Sequence, residues 1–300
     1  MDRQVFTTLA DRDVKIAIVD NDAEDSAASV LSWYRAHGRF ELAVQKQPVR
    51  GLSTARNTAL QVALTSGAEL FAFLDDDEIP SPHWLQALVA ELANPDRNIV
   101  IGPVDPLFEA PPPDWIVRGD FFHKRCRNDG TQHTGHTSNV MMRTSIIAAT
   151  GVRFDETLNL IGGEDVVFFR DLRQRGYSVA CAPQAMVSET IPRSRASLTW
   201  MRRRWIRAGA TSTLLLAGSR GGLKRKLTIA LRGLLRISAG SVLVAWYAIT
   251  RGRRDFAAVA RALSTVYRGA GMLMAAFGKA YQEYGSSYRH GPVTNAPVEP

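Results

Sequence analysis

Four consecutive acids, Asp75-Asp76-Asp77-Glu78, follow the apolar run Phe71-Ala72-Phe73-Leu74. Carboxylates this close raise one another's pKa unless a cation neutralises them, and an all-oxygen set suits Mg²⁺ or Mn²⁺. The plainer reading is a solvated acidic turn capping a helix that starts near Pro82, and both can hold together. Asp20 likewise ends an apolar run, Ile16-Ala17-Ile18-Val19, and the pair Glu164-Asp165 follows Gly162-Gly163 at the start of a helix-like segment. A helix N-terminus favours the ionised form of such acids, so capping is again the competing role. His133 and His136 match no metal spacing and read as solvated on a polar loop.

The segments between these acids alternate. Residues 15–20, 41–47 and 71–74 have the length and apolar content of strands, and residues 26–37, 52–66 and 82–93 are helix-like. Residues 98–104 form a further β-rich run, residues 103–115 read as a proline-rich surface loop, and residues 140–142 and 178–182 are short strands. This pattern predicts an α/β layer fold with a mixed, mostly parallel sheet, whose ligands collect beyond the carboxyl ends of the strands. The five residues between 9 and 15 are too few for a parallel crossover, so residues 1–9 are expected to be the end of a helix.

The net charge of +8 conceals a division. Up to Pro192 there are 18 Lys and Arg against 26 Asp and Glu, and from Arg193 onward 19 against 3. An acidic body with a basic tail predicts an anionic surface as partner. The tail reads as helices over residues 200–217, 223–250 and 256–284, with Arg and Lys interrupting apolar stretches. Basic helices with Leu, Trp and Phe on the opposite face read as lying on a membrane, although a soluble helical bundle has the same periodicity. No nucleic-acid reader motif accompanies the charge, so nucleic acid is not an expected partner. Residues 237–250 are free of charge but fall short of the roughly twenty needed to span a bilayer. With no apolar segment near Met1, and Cys126 and Cys181 at no metal spacing, the expectation is two unpaired thiols in a reducing cytoplasm.

Taken together, Val19-Asp20-Asn21-Asp22, Gly51-Leu52-Ser53-Thr54-Ala55-Arg56-Asn57, the acid run with Pro80 and Trp84-Leu85, and Gly163-Glu164-Asp165 closely resemble the family 2 glycosyltransferases of GT-A fold, most of all the succinoglycan-biosynthesis type. The resemblance covers about residues 15–209. It implies a GT-A-like catalytic domain over residues 1–195, followed by a basic helical region over residues 196–300. It also implies inverting transfer from a nucleotide-sugar donor, with a lean to UDP, and the interfacial tail supports a lipid-linked or polysaccharide acceptor at the cytoplasmic face of the membrane. Asp20 then binds the nucleobase, Arg56 lies near the uridine or diphosphate, Asp75 and Asp76 belong to the donor site, and Asp75 and Asp77 hold Mn²⁺ or Mg²⁺. Asp165 matches the catalytic base, with Glu164 beside it. Arg202-Arg203-Arg204-Trp205 stands where relatives carry an Arg-Trp element that contacts the diphosphate, and of these Arg204 is the expected contact.

Two departures accompany the resemblance. Where many relatives have a metal-binding histidine, this chain reads Ser188-Glu189-Thr190, so Glu189 is the expected substitute. The opening strand of relatives, Ile-Pro-Thr-Tyr-like, has no counterpart here. A catalytically inactive, membrane-associated scaffold with the same outline is therefore the alternative.

Overall fold

The computed structural model describes residues 1–126, 131–132, 135–159, 162–217, 222–250 and 255–278. Strand β1 (Lys15–Asp20) leads through α1 (Ala28–His37), β2 (Glu41–Lys46) and α2 (Leu52–Thr65) to β3 (Leu70–Leu74). Beyond the acids come β4 (Glu78–Pro80), α3 (Trp84–Leu92), β5 (Ile99–Ile101), β6 (Val104–Phe108) and α4 (Asp114–Gly119). Then follow β7 (Thr131–Gln132), β8 (Asn139–Arg143), α5 (Thr144–Thr150), α6 (Glu164–Gln174), β9 (Val179–Cys181) and β10 (Val187–Ile191). Three helices complete the described chain: α7 (Leu198–Ala217), α8 (Leu223–Thr250) and α9 (Phe256–Ala276).

The central sheet has strand order β3-β8-β5-β9-β7, with β8 antiparallel between β3 and β5. Successive side chains of a strand point to opposite faces, and here both faces are covered, which is why β3, β5 and β9 are apolar throughout. Phe71, Phe73, Ile99, Ile101, Val140 and Met142 pack with Leu60 of α2 and with Phe168, Phe169 and Leu172 of α6. Leu70, Ala72, Leu74, Val100 and Met141 pack on the other face with Trp84, Leu85, Leu88 and Leu92 of α3. Strands β1 and β2 form a separate parallel pair, and a third sheet runs β4-β10-β6.

Residues 1–9 are not helical. Their polar groups are satisfied by α3 instead: Gln4 Oε1 accepts the Leu85 N–H, Gln4 Nε2 donates to Ser81 O, and Gln86 Oε1 accepts the N–H groups of Thr7 and Thr8. The proline-rich stretch is not all loop either. Val104–Phe108 is a strand at the edge of its sheet, where Pro106, lacking an N–H, is tolerated. Strand β10 was not expected, because Val187-Ser188-Glu189-Thr190-Ile191 shows little apolar content of its own and is held by its neighbours, antiparallel to β4 and parallel to β6. The cysteines also depart from expectation. Cys126 and Cys181 are joined as a disulfide, their Cα atoms 5.9 Å apart, because the segment after β6 runs back beside β9.

In the tail, α9 lies between α7 and α8. The backbones meet at glycines: a Cβ at Gly209 would come within 2.0 Å of Arg268 O, and one at Gly269 within 2.6 Å of Gly233 O. Met201, Trp205 and Ala260 join Ile116, Phe122 and Ile191 in one cluster, so α7 and α9 are packed onto the α/β layer. Residues 279–284 of the expected last helix, and His133, lie outside the described residues.

Candidate active site

The acid run sits at the carboxyl end of β3, stitched to β10. Thr190 N–H donates to Asp77 O at 3.0 Å, and Glu78 faces Glu189 across the β4–β10 pair. Asp76 is exposed, Asp75 and Asp77 are half-buried, and Glu78 is buried. Burial holds the Asp75 and Asp77 carboxyls above the usual range, with Glu189 adding repulsion at Asp77. Burial pushes Glu78 up to about 8, and neighbouring Asp75 adds to the rise. One buried oxygen, Glu78 Oε1, accepts no hydrogen bond from the described residues.

Three resident cations approach these acids. Arg56 Nη2 is 3.7 Å from Asp75, Arg195 Nη1 is 3.4 Å from Asp77 and 3.6 Å from Glu189, and Lys124 Nζ is 3.3 Å from Glu189 and 3.9 Å from Glu78. No three His, Cys, Asp or Glu side chains among the described residues converge as a ready-made metal cage. A divalent ion in a nucleotide site needs only one or two carboxylates, the rest of its shell coming from phosphate and water. The all-oxygen donor set, the elevated proton affinities and the orphaned Glu78 oxygen fit such an ion at Asp75 and Asp77.

Arg56 connects the acid run to the second pair. Its Nη1 donates to buried Glu164 Oε1, and its guanidinium lies 5.8 Å from the Phe154 ring centroid. Burial raises the Glu164 pKa, and Arg56 opposes that rise. Asp165 is the next residue, its Oδ1 accepting the Val166 N–H at 2.7 Å, and among the described residues it makes no ion pair. The turn before it needs glycine: Gly162 and Gly163 have φ of 80° and 89°, and a Cβ on Gly163 would meet Thr211 of α7 at 2.4 Å.

The rest of the Gly-Leu-Ser-Thr-Ala-Arg-Asn segment positions this arginine. Ser53 Oγ donates to Asp155 O, Asn57 exchanges hydrogen bonds with the Phe154 backbone, and Asn159 Oδ1 accepts the Thr54 N–H at 3.0 Å. Asn21, beside Asp20, accepts the Gly51 N–H and donates to Gln47 O and Val49 O, fixing the entry to α2. Asp20 is buried at the end of β1, 2.5 Å from Lys46 Nζ, whose hydrogen bond holds its pKa below the ordinary value.

Within the triple arginine the structure discriminates. Arg202 and Arg203 are exposed, whereas Arg204 turns inward with its guanidinium 5.2 Å from the Phe122 centroid and 5.3 Å from that of Trp200. Burial lowers its pKa to about 10, with Glu189 opposing that shift. The structure thus brings together Arg56, Asp75, Asp77, Glu164 and Asp165 through direct contacts or chain adjacency, and sets Arg204 within electrostatic reach of Glu189.

Sequence reading missed Lys124, Arg195 and Asn159, which carry no motif and reach the site from distant segments. His136 departs from the solvated role expected of it. Burial pushes its pKa down to about 3, and its Nδ1 lies 2.9 Å from Ser138 Oγ. Asn139, at the start of β8, is fully buried, accepting a hydrogen bond from Trp84 Nε1 and donating to Pro103 O and Ala185 O.

The α/β layer has the fold of a GT-A glycosyltransferase, and the chain belongs to glycosyl transferase family 2, whose model matches residues 3–151. It is 35% identical over 222 residues to the succinoglycan biosynthesis protein ExoM of Rhizobium meliloti (strain 1021), covering 73% of this chain and 71% of that protein. Among solved structures it is similar in fold to S. aureus TarS 1-349 in complex with UDP-GlcNAc, with a TM-score of 0.51, 13% identity and coverage of 94% and 87%. GalNAc-T7 with UDP, GalNAc and Mn²⁺ gives a TM-score of 0.50 at 14% identity, covering 69% of this chain and 42% of that one.

Proposed function

We propose that this glycosyltransferase moves a sugar, with inversion, from a UDP-sugar to a lipid-linked or polysaccharide acceptor in cell-surface polysaccharide synthesis. The observation that carries the reading is Arg56, which spans from Asp75 of the acid run to Glu164 beside the candidate base. Leaving-group stabilisation and proton removal must occur on either side of one anomeric carbon, and this arginine links the two groups that would perform them.

In this reading Asp165 takes the proton of the acceptor hydroxyl as its oxygen attacks the anomeric carbon. The bond from that carbon to the diphosphate breaks, its electron pair stays on the diphosphate, and one displacement inverts the centre. Asp75 and Asp77 would hold Mn²⁺ or Mg²⁺, which supplies positive charge to the departing diphosphate. Arg56 and Arg204 offer donors to the same group, and the aromatic stack on Arg204 keeps it preorganised. Asp20 stands at the end of β1 as the nucleobase contact, and exposed Asp76 lies at the rim of the donor site.

The acceptor class rests on the tail. Helix α8 is long and apolar enough to cross a membrane and exposes Leu223, Leu227, Leu231, Leu234, Leu235, Val242, Leu243, Trp246 and Ile249. With Lys224, Arg225, Lys226, Arg232 and Arg236 on the same helix, it suits the interface of an anionic membrane, with the catalytic layer on the cytoplasmic side.

Calorimetric titration of UDP with and without Mn²⁺ tests the donor reading. Wild type is expected to bind in a Mn²⁺-dependent manner, and Asp77→Ala to lose that dependence. A folded wild type that ignores UDP under both conditions would support the inactive scaffold instead.

A further inference from the structure

Lys124 belongs to none of the motifs above, yet its ammonium lies inside the acid cluster. It donates to Ser138 Oγ at 2.9 Å, stands 3.3 Å from Glu189 Oε2 and 3.9 Å from Glu78 Oε1, and is within electrostatic reach of Asp75. Its backbone is pinned by reciprocal hydrogen bonds with Val104, both 2.9 Å, and two residues later the chain is tied to β9 through Cys126. A lysine side chain carries about 2 kcal/mol of rotamer entropy when free. Here its stem is held before any ligand arrives, with 29% of the side chain still exposed.

The arrangement of charge indicates what that exposed portion would meet. Lys124 and Arg195 flank Glu189, one at each carboxylate oxygen, while Arg56 stands by Asp75. Three fixed cations stand among the carboxylates Asp75, Asp77, Glu78 and Glu189. A dication at Asp75 and Asp77 would leave this cluster positive whether Glu78 is charged or not, and the site would then favour an anion. A compact ammonium binds phosphate as a point charge, without the planar geometry that a guanidinium requires.

We propose that Lys124 is a donor-site residue whose ammonium contacts the diphosphate of the nucleotide sugar from the β10 side of the acid run. The proposal rests on the donor reading given above and adds to it a residue from the segment after β6. Ser138 and neutral His136 behind it would keep the ammonium aimed at the cluster.

The test compares UDP with uridine, in Mn²⁺, for wild type, Lys124→Met and Lys124→Arg. Losing one charge-assisted contact to phosphate is expected to weaken UDP about ten- to a hundredfold in Lys124→Met. Uridine affinity should stay within about twofold of wild type, since it lacks phosphate, and Lys124→Arg should recover part of the UDP loss. Equal losses for UDP and uridine would mean a merely structural role and overturn the proposal, as would unchanged UDP affinity. If Lys124→Met does not fold, Ser138→Ala carries the test. It leaves the charge but removes its guide, and unaltered UDP affinity in that variant also counts against the proposal. Wild type that binds no UDP overturns the donor reading and this one with it, whereas wild-type binding matched by Lys124→Met sinks this one alone.

Discussion

Asp165 and Glu164 are neighbours in sequence with opposite surroundings. Glu164 is buried and committed to Arg56, so it cannot also collect a proton from an incoming hydroxyl without stranding that guanidinium. Asp165 has no such partner among the described residues and stands at the edge of the turn that α7 covers through Thr211. The division predicts a clean separation in kinetics. Asp165→Asn, which keeps shape and removes basicity, should lower kcat by about 10²- to 10⁴-fold, the range typical of a general base. UDP affinity should stay within about twofold, because the donor is held elsewhere. A parallel fall in both quantities would count against the assignment. At this scale the sequence was informative wherever residues were clustered along the chain: Asp75, Asp77, Arg56, Glu164 and Asp165 are all in local motifs, and the structure joins them. Lys124, Arg195 and Asn159 were not legible, since each is tied to the site by a partner remote in sequence, Glu78, Asp77 and Thr54 respectively, and nothing in its own neighbourhood marks it.

At the scale of elements, the buried central strands were the easiest to read, because a sheet covered on both faces demands continuous apolar runs. What the sequence concealed was stabilised by partners rather than by its own pattern. Strand β10 is mixed in polarity, yet its pairings with β4 and β6 hold the acid run in place. The N-terminal residues read as a helix end by elimination, but their hydrogen bonds are made by Gln4 and Gln86 against α3. The disulfide is the same lesson in covalent form, since Cys126 and Cys181 are separated by 55 positions and meet only because β9 and the segment after β6 are neighbours. Closing a loop of that length stabilises the folded chain by about 4 kcal/mol in the chain-entropy account. Denaturant titrations of oxidised and reduced protein should therefore differ by about that amount, while Cys126→Ala should respond to neither oxidant nor reductant. Identical midpoints for oxidised and reduced wild type would show that the bond contributes nothing to stability. Because the bond lies two residues from Lys124, the same samples would also reveal whether reduction loosens the β10 side of the acid cluster.

Across the whole molecule the charge division acquires a geometry. The acidic portion is the α/β layer, and the basic portion is the helical group packed on it through Trp205, Met201 and Ala260. The outermost helix, α8, meets α9 through Gly233 and Gly240 and turns its leucines outward, a face that a soluble helical bundle would bury. Leu231, Leu235, Val242, Trp246 and Ile249 follow helical spacing along one stripe, and each such side chain gains roughly 1.5–3 kcal/mol on full removal from water. A nearby Lys or Arg adds about 1 kcal/mol at an anionic surface, an attraction that salt screens. The full chain should therefore float with phosphatidylglycerol-containing vesicles, and more weakly with zwitterionic ones. High salt should reduce the first without abolishing it, since the apolar stripe remains. Leu231→Asp, Leu235→Asp and Trp246→Asp together should abolish flotation while leaving UDP binding intact, because the stripe does not touch the acid cluster. Flotation unaffected by those three changes would move the membrane contact away from α8, and a wild type that never floats would leave a soluble polysaccharide as the acceptor to test.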